Sequence, residues 1–219
     1  MPASSLLRLM LRFTAALIFF VALLTCANKL APRFGQSPQG APAKAEISSR
    51  GITREPWNPA ALPVPLGSPR ILVQKAQRRL FLYSGDKLVR TYRIGLGLSP
   101  VGDKVRQGDR RTPEGDFYIF TKNDKSAFYL SLGISYPNAV HAERGLRDGL
   151  ISRTQYDTVM QALKTNKAPP QNTKLGGDIY IHGNGAGSDW TWGCVALEDS
   201  DIRELFKVVT VGTPVTIKP

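Results

Sequence analysis

Cysteine and histidine are scarce in this 219-residue chain. There are two cysteines, Cys26 and Cys194, and two histidines, His141 and His182. So small a set falls short of the four ligands of a structural zinc, and no metal site is expected. It also leaves no room for a disulfide framework. Long apolar runs are scarce as well. The run from Phe13 to Leu24 has twelve residues, short of the roughly 20 that span a bilayer comfortably. No internal repeat is visible, and nothing marks a second domain.

What is present at the N-terminus sets an expected compartment. Arg8 and Arg12 precede the apolar run, and Thr25-Cys26-Ala27 follows it. Basic flank, short apolar core and small residues are the order of a secretory signal, with cleavage after Ala27. The alternative is an uncleaved anchor. A lipid on Cys26 is disfavoured by Thr25 before it. Each version of residues 1–27 places the rest of the chain outside the cytoplasm, in the periplasm or cell envelope. Residues 28–69 hold eight of the sixteen prolines and read as an extended, poorly ordered spacer, with Ile52 and Trp57 as the residues suited to local docking. Residues 70–219 suffice for one domain with a single core.

The formal net charge is +12. Nucleic acid is the reflex partner of such a chain, but an exported location argues against it. An anionic envelope polymer or membrane surface suits the charge better. Membrane contact is expected only through the N-terminal segment.

Export also gives Cys194 its weight. Once Cys26 is removed, Cys194 has no partner within the chain, which points to intermolecular pairing or a working nucleophile. His182 lies twelve residues before it, in a glycine-rich window that runs through Gly183, Gly185, Gly187 and Gly193. A thiol needs a neighbouring base to become a strong nucleophile, and imidazole is the usual one. The alternative is a structural cysteine near an incidental histidine.

The periodicity is mostly that of strands. Ile71–Val73, Leu80–Tyr83, Leu88–Ile94, Gly115–Thr121, Ala127–Tyr136, Asp178–His182 and Val215–Ile217 are the expected strands, with a hairpin turn at Ser84-Gly85-Asp86. Helices are expected over Thr154–Lys164, capped by Ser152, and over Asp199–Val208, capped by Asp199 or Ser200. The second should begin directly after the cysteine and point its positive end at the thiolate. The fold class is mainly β, a sandwich or barrel-like domain with two or three short helices. His141 reads as a surface histidine on a loop or short helix. Trp190 and Trp192 suit either a cleft wall or the core.

Three segments together resemble the L,D-transpeptidase catalytic domain, the YkuD-type family. They are the hairpin pattern from Ile71 to Gly97 that ends in Ile94-Gly95-Leu96-Gly97, then Gly108-Asp109-Arg110-Arg111-Thr112-Pro113-Glu114-Gly115-Asp116-Phe117, and Ile181-His182-Gly183 through Trp192-Gly193-Cys194-Val195-Ala196-Leu197. The resemblance implies a cofactor-free acyl transfer on peptidoglycan. The bond after the L-centre of meso-diaminopimelate is cut, D-alanine leaves, and a thioester forms. The acceptor is another stem peptide, a lipoprotein lysine or a free D-amino acid. Water as acceptor would make the enzyme a carboxypeptidase, and a non-catalytic wall-binding module is a further alternative.

By the family pattern Cys194 is the nucleophile and His182 the base. The Gly183 carbonyl orients the imidazole. Backbone N–H groups at Gly193 and Cys194 form the oxyanion hole, and Thr191 fills a small-hydroxyl position. The chain departs from the commonest pattern in three ways. Trp192 stands where a histidine often precedes the Gly-Cys pair, Ala196 stands where arginine is common, and the His-to-Cys spacing is short. The candidate substrate contacts are therefore Trp192, Arg110, Arg111 and Tyr136, with Arg93 as a further basic side chain.

Overall fold

The computed structural model describes residues 61–219. The proposed signal segment 1–27, Ile52 and Trp57 lie outside the described residues. Eight strands form one curled sheet: β1 (Pro69–Gln74), β2 (Arg79–Ser84), β3 (Lys87–Arg93), β4 (Gly115–Ser126), β5 (Tyr129–Ile134), β6 (Tyr180–His182), β7 (Val195–Ala196) and β8 (Pro214–Lys218). The order across the sheet is β3-β2-β1-β8-β4-β5-β6-β7. The C-terminal strand β8 is thus inserted at the centre, parallel to β1 and antiparallel to β4. Three helices complete the domain: α1 (Ala139–Arg147), α2 (Arg153–Lys164) and α3 (Asp199–Val208). The mainly β class with short helices holds.

The curl brings the sheet's two edges together. Just past β3, Gly95 exchanges both backbone hydrogen bonds with Ala196 of β7, each 2.9 Å. Gly97 bridges to Thr191 next to it. Sterics explain the glycines here. A Cβ on Gly95 would lie 2.2 Å from the Ser188 carbonyl oxygen, and one on Gly97 would lie 2.1 Å from that of Arg110. No side chain fits at either place, so the first motif is a seam along which backbones touch.

Alternating apolar residues fill the interior. Ile71, Val73, Leu80, Leu82, Ile119, Leu132, Ile181, Val215 and Ile217 are buried, as period-two strands with one inward face require. From α3, Ile202, Leu205 and Val208 join them. A smaller cluster of Ala142, Ile151, Val159 and Leu175 holds α1 and α2. The Ser152–Gln155 capping box starts α2 as expected.

Four expectations need correction. The domain begins before residue 70, because Leu66 is buried in the core and Leu62 packs against it. Part of the segment read as spacer therefore belongs to the fold. The two-residue strand β7 was too short to leave a periodic signal. It separates Cys194 from α3, so the helix does not begin at the cysteine. The cap of α3 is Glu198, and it makes no side-chain cap bond. Glu198 and Asp199 instead accept from the amides of Ala186 and Asn184, at 2.8 Å each, and so pin the loop that follows His182.

Candidate active site

The three sequence segments meet where the seam closes. Cys194 immediately precedes β7 and His182 ends β6. The two strands are parallel, and His182 stands opposite Ala196. Cys194 therefore falls two residues back along the pair, level with Tyr180. Its Sγ accepts from the Tyr180 amide at 3.4 Å and donates to the Asp178 carbonyl at 3.5 Å. Burial pushes the thiol up to about 11, against a smaller lowering by the Tyr180 N–H. At neutral pH the group is a thiol, which fits its contact with a carbonyl.

The His182 imidazole is buried. Its Nδ1 lies 2.7 Å from the Gly183 carbonyl oxygen. A carbonyl only accepts, so Nδ1 carries the proton and Nε2 keeps its lone pair. Burial lowers the imidazole's pKa, partly offset by the Gly183 bond. The ring belongs to an aromatic cluster, with Phe128 at 4.6 Å and Trp190 at 5.5 Å between centroids. The Trp190 Nε1 donates to the Gly185 carbonyl at 3.0 Å. A Cβ on Gly183 would lie 2.5 Å from an Asp199 carboxylate oxygen and 3.0 Å from the Phe128 carbonyl oxygen, so a side chain there would have to displace the Asp199 carboxylate.

Thiol and imidazole make no hydrogen bond to each other among the described residues. Their backbones are diagonal neighbours on adjacent strands, about 8 Å apart from the ordinary strand spacing and rise.

The turn before Cys194 is fixed by two buried hydroxyls. Thr191 Oγ1 donates to the Cys194 carbonyl at 2.8 Å and accepts from the Gly193 amide at 3.1 Å. Thr112 Oγ1 accepts from the Gly97 amide at 3.1 Å and donates to the same Cys194 carbonyl at 3.4 Å. The Gly193 N–H is thus engaged by the Thr191 hydroxyl in the ligand-free domain. The Cys194 N–H has no acceptor among the described residues. Gly193 has φ +130 and lies against the Arg111 carbonyl, so its glycine character serves a close approach of backbones.

The second motif segment is a scaffold for this turn. Asp109 accepts from the amides of Val105, Arg106 and Arg111 and from the buried ammonium of Lys104 at 2.8 Å. The Lys104 bond and the backbone amides outweigh burial and hold this carboxyl below the usual range. Glu114 pairs with buried Lys75 at 2.7 Å, and that ammonium also caps the carbonyls of Gly102 and Thr112.

Candidate substrate residues divide. Trp192 is 72% exposed, and the exposed Arg110 guanidinium lies 5.2 Å from its ring centroid. Both are free to meet a ligand beside Cys194. Arg111 is half-buried, and its guanidinium turns back to the Asp103 carbonyl. Tyr136 is fully buried, and its hydroxyl donates to the Leu175 carbonyl at 3.0 Å. It is a core residue and cannot contact substrate.

His141 is also corrected. It is buried in α1, with Nε2 at 3.0 Å from Asp103 and Nδ1 at 2.5 Å from Asn138. Asp103 in turn pairs with Arg144. Sequence reasoning missed Phe128, Tyr180 and Asp178. Phe128 touches the imidazole, whereas the other two act through backbone atoms that leave no residue-type signal.

These features define a class: curled β-sheet domains that present one histidine and one cysteine from neighbouring strands. The chain belongs to the L,D-transpeptidase catalytic-domain family, YkuD, whose model matches residues 68–217. It is 29% identical over 153 residues to YafK of Escherichia coli K12, a presumptive L,D-transpeptidase, and the match covers 66% of this chain and 49% of that protein. The chain thus spans about half the length of the curated relatives it matches. Among solved structures, a mutant of the helical cell shape determining protein Pgp2 from Campylobacter jejuni is similar, with TM-score 0.48 and 23% identity, over 69% of this chain and 47% of that one. An L,D-transpeptidase from Xylanimonas cellulosilytica gives TM-score 0.41 and 17% identity, over 71% and 63%.

Proposed function

We propose that this domain is an exported peptidoglycan L,D-transpeptidase with Cys194 as nucleophile and His182 as general base. The observation that carries the reading is the tautomer. The Gly183 carbonyl holds the proton on Nδ1, so a basic Nε2 is kept on the strand next to the thiol. His182 Nε2 takes the thiol proton as Sγ bonds to the carbonyl carbon of the stem peptide. The Cys194 amide, with no acceptor among the described residues, is available to the developing oxyanion. The tetrahedral centre then collapses, the C–N bond breaks, and the imidazolium proton passes to the departing D-alanine amine. An acceptor amine attacks the thioester and restores the thiol. Trp192 and Arg110 form the exposed ledge beside the nucleophile on which a substrate would rest.

The site's chemistry is the same whether an amine or water resolves the thioester. Incubating the chain with purified muropeptides and resolving products by mass decides between them. Dimers or exchanged D-amino acids establish transfer, and tripeptides alone establish hydrolysis. A carbapenem presents a strained carbonyl and should add once to the chain but not to a Cys194→Ser variant. An adduct on that variant would remove Cys194 from its role. His182→Ala should slow acylation by roughly 100- to 10,000-fold, and an unchanged rate would remove His182. Export rests on the N-terminal sequence alone, and a fractionation that leaves the chain in the cytoplasm would overturn it.

A further inference from the structure

The closed chemistry leaves one charged groove unused, at the end of the β2–β3 hairpin away from its turn. Arg79 and Arg93 are register partners across this antiparallel pair. Like charges set directly opposite each other on a sheet are unfavourable. Neither guanidinium meets a carboxylate among the described residues. Arg79 donates to the Arg78 carbonyl at 3.1 Å, and Arg93 donates to the Gly187 carbonyl at 3.3 Å. The one acid at hand, Asp189, is already taken. It accepts from Arg78 at 2.7 and 3.1 Å and from the Leu96 amide at 2.9 Å.

The resulting groove has a volume of about 480 Å³. Arg78, Arg79, Arg93 and Ile94 form one wall, and residues 186–189 form the other. With Asp189 neutralising Arg78, two positive charges remain. The wall at 186–189 belongs to the loop that leaves His182 and returns at Trp190, whose ring touches the imidazole. An anion seated here would therefore rest on the segment that borders the base.

We propose that the groove is a carboxylate subsite, which takes one carboxylate of the peptide substrate through the Arg79 and Arg93 guanidiniums. That the peptide is a wall stem rests on the function proposed above. The guanidinium fork matches the two oxygens of a carboxylate, so side-by-side arginines form a built receptor for it. An inorganic phosphate presents similar oxygens and is the competing source.

The test is a cycle of ligand and protein changes, read as dissociation constants with the full chain in a turnover-blocked Cys194→Ala background. The ligands are a tetrapeptide stem, the same stem with each carboxylate amidated in turn, and inorganic phosphate. The proteins carry either the native arginines, Arg79→Gln with Arg93→Gln, or the charge-retaining Arg79→Lys with Arg93→Lys. One amidation should weaken binding to the native pair roughly 10-fold or more. In the glutamine variant the same amidation should change binding less than 2-fold, with the lysine variant in between. Equal sensitivity to amidation in native and glutamine proteins overturns the proposal. Phosphate that binds and is lost with the arginines, while amidation has no effect, assigns the groove to a free oxyanion and also overturns it. Amidation-sensitive binding in this background, together with no thioester on Cys194 when the unblocked chain is incubated with the stem, would leave the subsite standing and remove the transferase reading.

Discussion

Replacing Thr191 by valine tests the account of the nucleophile turn most directly. Valine matches threonine in shape, so no cavity opens and the backbone pairing of residue 191 with Leu96 and Leu98 is untouched. Only the hydroxyl is lost, and with it both the bond to the Cys194 carbonyl and the acceptor for the Gly193 amide. The Cys194 carbonyl keeps a longer bond from Thr112. The buried Gly193 N–H keeps nothing, and an orphaned buried donor costs about 1–3 kcal/mol. A loss of about 2 kcal/mol lowers the melting temperature of a domain this size by about 4–8 °C. Thermal melts followed by circular dichroism should show this shift for Thr191→Val and near-native melting for Thr191→Ser, which restores the hydroxyl. Acylation of Cys194 should slow in the valine variant, because the turn no longer holds the thiol in register. A valine variant that melts within about 1 °C of the native chain would show that the hydroxyl is not the tie.

Other perturbations follow from the same geometry. Gly97→Ala forces a Cβ to 2.1 Å from the Arg110 carbonyl, so it should cost about 3 kcal/mol or fail to fold. Gly187→Ala, with nothing within 4 Å, should be close to neutral, and denaturant midpoints compare the two. With the thiol pushed up to about 11, alkylation of Cys194 by iodoacetamide at pH 7 should run about 20- to 300-fold slower than for a free cysteine, the lower figure allowing for the greater nucleophilicity of a more basic thiolate. Its rate should keep rising beyond pH 9, and a plateau near neutrality would contradict a neutral resting thiol. Asp109 and Asp103 both titrate below their usual range in the fold, so the stability they contribute is present above about pH 4 and lost as the pH falls. His182 is lowered as well, so protonation works against the fold below about pH 6.5. Asp109→Asn should therefore flatten the acid side of a stability profile measured by urea titration. An unchanged profile would remove Asp109 from that role.

The parts of the fold legible in the sequence are those written in side-chain period. β1, β2, β3 and α2 stand close to where alternation and capping put them, because each buries one face and shows another. β7 was invisible because two residues carry no period, and its pairing lies with β6 on one side and with the Gly95 backbone on the other. The buried state of His141 and Tyr136 was equally hidden. Histidine and tyrosine suit core and surface alike, and only the tertiary placement of Asp103 and Leu175 supplies the partners that make their burial tolerable. At the candidate site, residue type singled out Cys194, His182 and Gly183, and the structure brings them together at the β6–β7 pair, with the Gly183 carbonyl on the imidazole. The tie between the Gly193 amide and the Thr191 hydroxyl was not legible, because amide direction depends on backbone torsion, which cannot be read from spacing.

The same burial that shapes the site sets how its proton can move. Desolvation raises the thiol's proton affinity and lowers that of the imidazole, so both shifts oppose a resting thiolate–imidazolium pair. Under the proposed chemistry, proton transfer becomes favourable only as the sulfur's new bond to carbon removes its negative charge. Deprotonation and attack are then coupled, and the base need not touch the thiol beforehand. The Tyr180 amide and Asp178 carbonyl hold Sγ in a neutral position two residues along the strand pair. Leaving them costs only weak sulfur hydrogen bonds. The proposed chemistry requires a substrate carbonyl to draw the sulfur toward Nε2 in exchange for those contacts.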